Sequence, residues 1–435
     1  MRLDFELLSW RRITLTAVSA LLSIAGCDAG DEDAKAVEVL ESTVERQVVP
    51  LDPAVQSELS VDHQAFAFDI YHQIRTTPGN LFYSPYSIST ALAMAYVGAA
   101  GQTKAEMKEV LHFELEDEAL HAAFNALDRE LDTRPIEGTE ESPGLKLEVA
   151  NTLWASQQEK YRPYPTYVDA LALNYDAPVR LVDFEADPKA ARQAINAVVA
   201  EQTYDLIPAL LPDGVISTLT RVVLTNAMYF KAGWASPFEE SSTIPLAMFT
   251  DVDGGSHFVD QMNGLFEIPY ANTDRFAAIR LPFVGHDIVM TIVLPHEGAF
   301  AEVEASLDPE FVANLSESFA RTGVRVAIPK FSTRSPFLLS PVLQALGMQD
   351  AFMPGVADFS ALSPLSLFIK EVVHEGFITV DEVGTEAGAA TAVVFDDESE
   401  GPYEEASFIA DRPFLYWIED LPTSTPLFVG RFSSP

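Results

Sequence analysis

Apolar and polar positions along this chain follow two periods, and one gives way to the other. In "VDHQAFAFDIYHQI" (61–74), Phe66, Ile70 and Ile74 recur at four-residue spacing, which predicts a helix with these side chains on one face. "NLFYSPYSISTALAMAYVGAAG" (80–101) predicts another. Ser84 suits the N-cap, Pro85 the first helical position with its fixed φ, and Gly98 the end. Farther on the period shortens to two. "LKLEVANTLWAS" (145–156) alternates as a strand does, and segments 222–230, 276–283, 287–295, 323–331, 367–382 and 426–432 read as further strands. Helices come mostly early and strands mostly late, without regular β-α alternation. That order predicts an α+β fold with antiparallel or mixed sheets rather than a doubly wound sheet or barrel. Neither an internal repeat nor a second linker interrupts residues 61–435, so they read as one domain.

The N-terminal end departs from this pattern. Arg11 and Arg12 precede an apolar stretch, Ile13 to Ile24, and then Ala25, Gly26 and Cys27, which together read as an export signal too short to span a membrane. "IAGC" resembles the lipobox of bacterial lipoproteins. The resemblance implies that residues 1–26 are a signal peptide, that Cys27 is acylated, and that the mature protein is extracytoplasmic, with the lipid as its only attachment to a membrane or cell surface. An ordinary secretory signal would leave the protein secreted instead. Residues 27–60 are acidic and poor in aromatics, which predicts a flexible tether with folded sequence starting near Val61.

Composition narrows the chemistry. With 48% hydrophobic residues in 435, the chain can bury a large core. Its formal charge of −38 argues against nucleic-acid binding, which needs clustered Lys and Arg to neutralise phosphates. The single cysteine forbids an internal disulfide and any CxxC-type site. GxSxG, HExxH and the phosphate-cradling GxxxxGK[ST] are all missing. "DVDGGSHFVDQM" (251–262) begins like a calcium loop but lacks Gly at the sixth position and Glu at the twelfth, so it reads as a turn. No catalytic residue, metal ligand or cofactor is assigned; a hydrolase with a dispersed site is a distant alternative.

One stretch stands apart from the apolar segments around it. "GTEAGAATAVVF" (384–395) is built of small and β-branched residues and is followed by "DDESEGP". Together with "LFYSPYSISTALAMAYVGAAGQTKAEM" (81–107), "VLTNAMYFKAGWASPFEESST" (223–243), "GMQDAF" (347–352), "ADFSAL" (357–362), "VVHEGFITVDEVGTEAGAATA" (372–392) and "DRPFLYWIEDLPTSTPLFVGRFSSP" (411–435), it resembles the serpin family in order and across nearly all of the folded part. The resemblance implies three β-sheets surrounded by about nine helices, and a long reactive loop over roughly 382–412. It also implies an irreversible suicide-substrate inhibitor of a serine or cysteine protease. The protease cleaves the loop and is trapped as an acyl-enzyme when the loop inserts into the central sheet; the partner is thus the target protease, and a monomer is expected.

Site residues carry over position by position. Glu382, Gly384, Thr385, Glu386, Ala387, Gly388, Ala389, Ala390 and Thr391 match the hinge, with Gly384 supplying conformational freedom. Alternate residues of an inserted strand face opposite ways, so Thr385, Ala387, Ala389 and Thr391 would face the core while Glu386 faces out. Ser84, Ser87, Asn226 and His374 match the polar "shutter" beneath the central strands, and Trp234 the "breach" where insertion starts. Counting from Glu382, the seventeenth residue is Glu398, which gives Glu398–Ser399 as the scissile bond; Phe395, Asp397 and Tyr403 are alternatives. No Lys or Arg lies between Glu382 and Asp411, so an acid-specific protease fits better than a trypsin-like one. Non-inhibitory members exist, and a binding or surface protein is the alternative, although the small, proline-free hinge argues for insertion. Two departures from the family pattern occur: Ala197 and Val198 follow "AIN" where a tryptophan is usual, and "YDLIPAL" (204–210) replaces a Gly-Lys-Ile loop.

Overall fold

The computed structural model describes residues 37–139, 142–385 and 405–435. The described chain enters through a short strand, β1 (Glu38–Leu40), and a long helix, α1 (Pro53–Ile74). Next come β2 (Leu81–Tyr83), α2 (Pro85–Gly98), α3 (Gly101–Val110) and α4 (Asp117–Leu131). The middle of the chain holds β3 (Leu145–Ser156), α5 (Pro165–Tyr175), β4 (Val179–Val182), α6 (Pro188–Gln202) and β5 (Val222–Gly233). A run of strands follows: β6 (Ile244–Thr250), β7 (Ser256–Asn272), β8 (Phe276–Pro282) and β9 (Ile288–Pro295). After α7 (Phe300–Ala305) and α8 (Pro309–Ser318) come β10 (Ala320–Pro329), β11 (Phe331–Leu338), α9 (Ser340–Leu346) and β12 (Ile369–Val380). The last elements are β13 (Gly384–Thr385), β14 (Ala406–Ile409), β15 (Phe414–Asp420) and β16 (Thr425–Phe432).

Local sequence explains where the first helices begin. Asp52 caps α1, its Oδ1 accepting the Ala54 N–H at 2.8 Å, and Pro53 occupies the first turn. The expected start near Val61 is therefore too late. Gln56, Leu59 and Ser60 are already buried, and β1 is paired into a sheet, so residues 37–60 are not a solvated tether. Their acidic composition conceals an Asp-Pro cap and an apolar set, Val37, Val39 and Leu40, interleaved with Glu38 and Glu41. Residues 1–36, with the proposed signal and Cys27, lie outside the described residues. In α2, Ser84 caps as expected and Gly98 is the last helical residue. A Cβ on Gly98 would sit 2.7 Å from Leu362 Cβ, so packing also demands glycine there.

The strands form two hydrogen-bonded arrays. Seven run in the order β1-β4-β3-β5-β13-β12-β11; the other nine run β14-β10-β7-β8-β9-β15-β16-β2, with β6 added on β7. Three sheets were expected. The second and third are continuous here because β7, 17 residues long, carries β6 on its first part, β10 along Gln261–Tyr270 and β8 at Tyr270–Asn272. Of the calcium-like stretch, residues 251–255 form the β6–β7 turn, where Asp251 Oδ1 accepts the N–H groups of Asp253 at 3.0 Å and Gly255 at 2.6 Å, and residues 256–262 are the first part of β7 and not a turn.

The seven-stranded sheet is covered on both faces around β5. The main core lies on the side of α1 and α2, and a smaller one, including Trp154, Val182, Ile195, Val199 and Val223, lies under α6. All but one residue of β5 is buried, which is why that strand reads as a nearly continuous apolar run and not an alternation.

Candidate functional site at the centre of the seven-stranded sheet

Two strands define the site. Over its first half β5 pairs directly and in parallel with β12, from Val222–Ile369 up to Ala227–Glu375. Higher up, the chain leaves β12 and turns back. Asp381 makes that turn, its Oδ1 accepting the N–H groups of Val383 at 2.9 Å and Gly384 at 3.0 Å while its own N–H donates to the Gly384 carbonyl at 2.9 Å. The returning β13 then lies between the two strands, with Gly384 opposite Gly233, and Thr385 opposite both Ala232 and Val380. The first residues of the expected hinge are thus already part of the sheet. Thr385 is 1% exposed and its Oγ1 accepts the Ala232 N–H at 3.0 Å.

Gly384 is required for a reason other than the freedom assigned to it from sequence. A Cβ there would stand 2.0 Å from the Ala232 carbonyl oxygen, so no side chain fits against β5. The remaining hinge positions, Glu386 to Thr391, and the candidate bait residues Phe395, Asp397, Glu398, Ser399 and Tyr403 lie outside the described residues.

Polar and aromatic groups brace this end of the sheet. Glu382 is buried beside Lys330 Nζ at 2.7 Å and accepts from Thr243 Oγ1 at 2.6 Å. Burial raises the Glu382 carboxyl, but the hydrogen bonds from Lys330 and Thr243 outweigh it and hold the group below the ordinary glutamate range. Trp234, 3% exposed, donates its indole N–H to the Asp381 carbonyl at 2.9 Å and its backbone N–H to the Val383 carbonyl at 2.8 Å, with its ring stacked on Phe283 at 4.6 Å. The tryptophan therefore clasps the turn from which β13 departs.

Below, a buried polar network joins the strands to α2. The Ser84 N–H donates to His374 Nε2 at 3.0 Å, which makes Nε2 the acceptor, so the proton sits on Nδ1 and donates to Asn226 Oδ1. Asn226 Nδ2 in turn donates to Ser87 Oγ at 2.6 Å and Asn151 Oδ1 at 2.5 Å. Ser84, Ser87, Asn226 and His374, chosen from sequence, meet here; Asn151 was missed. Its signal was a lone amide in the middle of the alternating β3 segment. Asn226 lies opposite Asn151 on β3 and opposite His374 on β12, so the network crosses the line along which β5 and β12 would separate.

Burial pushes the His374 imidazole down to about 3. A histidine held neutral in the fold contributes stability that is fully present above its unfolded value of about 6.5 and is lost as pH falls toward about 3. Relative to His374→Phe, the wild-type protein is expected to lose up to about 1.4 kcal/mol per pH unit between pH 6.5 and 4. Urea denaturation of both proteins at several pH values in that range checks this, and a constant difference contradicts it.

Between the paired lower half and the inserted hinge, Met228 and Phe230 of β5 face Phe377 and Ile378 of β12 across a slot of about 10 Å³. That is barely room for one water, so a strand can enter only if the sheet parts. Leu206 and Ile207, just beyond α6, also line the slot. Arg334 donates to the Leu206 carbonyl at 2.7 Å, and the Tyr204 ring lies 4.7 Å from Tyr229. In the departing "YDLIPAL" loop, Tyr204 and Asp205 occupy the left-handed region with φ of 52° and 63°, backbone that the usual glycine would adopt without strain. Ala197, where the family usually has tryptophan, is exposed on α6.

Comparison with known proteins places this geometry. The model of a family described as serpin (serine protease inhibitor) matches residues 62–435. An uncharacterised serpin-like protein of Thermococcus kodakarensis is 39% identical over 373 residues, covering 85% of this chain and 84% of the relative. Leukocyte elastase inhibitor of Xenopus tropicalis is 33% identical over 380 residues, covering 85% of this chain and 97% of the relative. Among solved structures, the thermophilic serpin tengpin in the native state superposes with a TM-score of 0.79 at 28% identity, covering 91% of this chain and 98% of tengpin.

Proposed function

The chain belongs to the serpin family and has its fold, and from that premise we propose that it is an irreversible suicide-substrate inhibitor of an extracytoplasmic protease. The observation that carries this reading is the pairing of Gly384 and Thr385 between β5 and β12, directly above the closed slot. The hinge is threaded at the entrance, and the slot just ahead is narrow and lined by two strands able to accept a third. In the proposed sequence of events the target's nucleophile attacks a carbonyl in segment 386–404, the peptide bond breaks, and the hinge side of the cut is left as an ester or thioester on the protease. Insertion then extends β13 downward. About fourteen residues at about 3.3 Å each would carry the attached protease roughly 45 Å along the sheet, away from the geometry that hydrolysis requires.

Bait chemistry points to the class of target. The segment 386–404 contains Glu398 within "DDESE" and no basic residue, which suits a protease with a cationic primary pocket. We place the inhibitor outside the cytoplasm, held by acylated Cys27, on the strength of the "IAGC" resemblance alone.

The test is incubation with a panel of glutamyl-specific, chymotrypsin-like and trypsin-like proteases. An SDS-stable adduct with an acid-specific enzyme, and a released C-terminal fragment starting at Ser399 by mass spectrometry, are expected. Cleavage without any adduct across the panel would favour a binding role without inhibition.

A further inference from the structure

We propose that residues 37–51 form a strap that holds the seven-stranded sheet closed by tying its outermost strand to the helices packed against that sheet. The strands β1, β4, β3 and β5 are paired in series on one side of the slot, so admitting a new strand requires that block to move away from β12 by about 4.8 Å. The helices that receive the strap, α4 and α5, pack on α1 and α2, which reach β16 of the other array, α2 lying against β3 and β5 as well. The strap joins the two. At one end β1 pairs antiparallel with β4, from Glu38 opposite Leu181 to Leu40 opposite Val179, and Glu38 accepts from Arg162 at 2.6 Å.

From there the segment crosses α5 and α4. Ser42 Oγ donates to Asp169 at 2.5 Å, the Gln47 N–H to the Leu173 carbonyl at 3.1 Å, and Gln47 Nε2 to Asn174 Oδ1 at 2.6 Å. Arg46 reaches Asn125 Oδ1 at 2.7 Å through Nε and Asp128 at 2.7 Å through its terminal nitrogen. Asn125 is the decisive residue. It is fully buried on α4, and both ends of its side-chain amide are spent on the strap, Oδ1 on Arg46 and Nδ2 on the Gln47 carbonyl at 2.9 Å. A buried amide arranged this way marks a built receiving site, because loss of the strap strands it without those partners. Displacement of β4 by a strand spacing cannot keep the β1–β4 ladder and the Arg46–Asn125 contact together, so opening must break one of them. The effect of the strap on sheet opening stands on these contacts; its effect on loop insertion rests on the inhibitory reading.

The experiment uses the full chain, uncleaved, with Arg46→Ala, the milder Ser42→Ala, and Arg275→Ala as a control at an exposed ion pair remote from the strap. Hydrogen exchange over residues 222–232 and 369–380 is expected to accelerate about fivefold in Arg46→Ala and about twofold in Ser42→Ala, with no change in Arg275→Ala. Unchanged exchange in both strap variants overturns the proposal, as does acceleration that is equal over 276–295. If Arg46→Ala fails to fold, Ser42→Ala decides alone. In parallel, wild type is tested for the SDS-stable adduct. Localised acceleration without an adduct keeps the strap and removes the inhibitory reading, whereas an adduct with unchanged exchange does the reverse.

Discussion

Replacing Thr385 with arginine is expected to turn the protein from an inhibitor into a substrate of its target. Thr385 is 1% exposed between β5 and β12, where its hydroxyl accepts the Ala232 N–H. A guanidinium placed there would lose its water with no carboxylate assigned to receive it, at a cost of about 3–5 kcal/mol. Because Thr385 already lies inside the resting sheet, the arginine is expected to expel β13 from it, so that burying the guanidinium becomes part of insertion; even 3 kcal/mol added to that barrier slows it roughly a hundredfold, since each 1.4 kcal/mol is tenfold in rate. Hydrolysis of the acyl-enzyme is untouched by the change and then wins the race. The measurement is the moles of inhibitor consumed per mole of protease inactivated, which should rise by at least about tenfold. Thr385→Val is the control: it keeps shape, loses the two hydroxyl hydrogen bonds to Ala232, each worth about 1 kcal/mol at most, and should retain most of the adduct. Equal inhibition by wild type and Thr385→Arg would remove loop insertion from the mechanism.

Cleavage of segment 386–404 is expected to raise the melting temperature of wild type by about 10 °C or more. The closed sheet already pairs β5 with β12 below and both with β13 above. Insertion would trade a few parallel pairs for on the order of ten new antiparallel ladder bonds at about 1 kcal/mol each, besides burying apolar side chains such as Val393. At an unfolding entropy of about 2 cal/mol/K per residue, a gain on the order of 10 kcal/mol moves the transition of a domain this large by about 10 °C. Calorimetry before and after limited proteolysis reads the shift directly. The nicked Thr385→Arg protein should show little of it, which connects the thermodynamic and kinetic results through a single residue. An unshifted wild-type transition after clean cleavage would mean that the severed arm does not enter the sheet.

Much of the architecture was legible in the amino-acid order. Ser84-Pro85 announces the start of α2 by cap chemistry, Gly98 its end, and the alternation of "LKLEVANTLWAS" announces β3, because these features act within a few residues. The family motifs brought Ser84, Ser87, Asn226 and His374 to attention as a set, although nothing local in them requires that they touch. Contact among them is tertiary: residues 84 and 374 meet because β2, which leads into the Ser84 cap, packs against β12 while α2 lies on β3 and β5.

Other features belong to the assembled fold alone. The small residues of the hinge indicated a strand able to insert, but only the pairing of three strands places Gly384 and Thr385 inside the sheet already, and only the approach of the Ala232 carbonyl excludes a Cβ at 384. Asn151 gained its meaning from register, since a one-residue slip would turn it away from Asn226. Residues 37–60 were misread because acidic composition is an average, whereas structure there depends on particular partners: β4 for Val39, Asn125 for Arg46, an Asp52 cap for α1. Local order thus determined which segments become helix or strand, through backbone and capping energies summed over short spans. Which strands part, what keeps them together, and where an incoming strand would lie were decided by contacts between residues hundreds of positions apart.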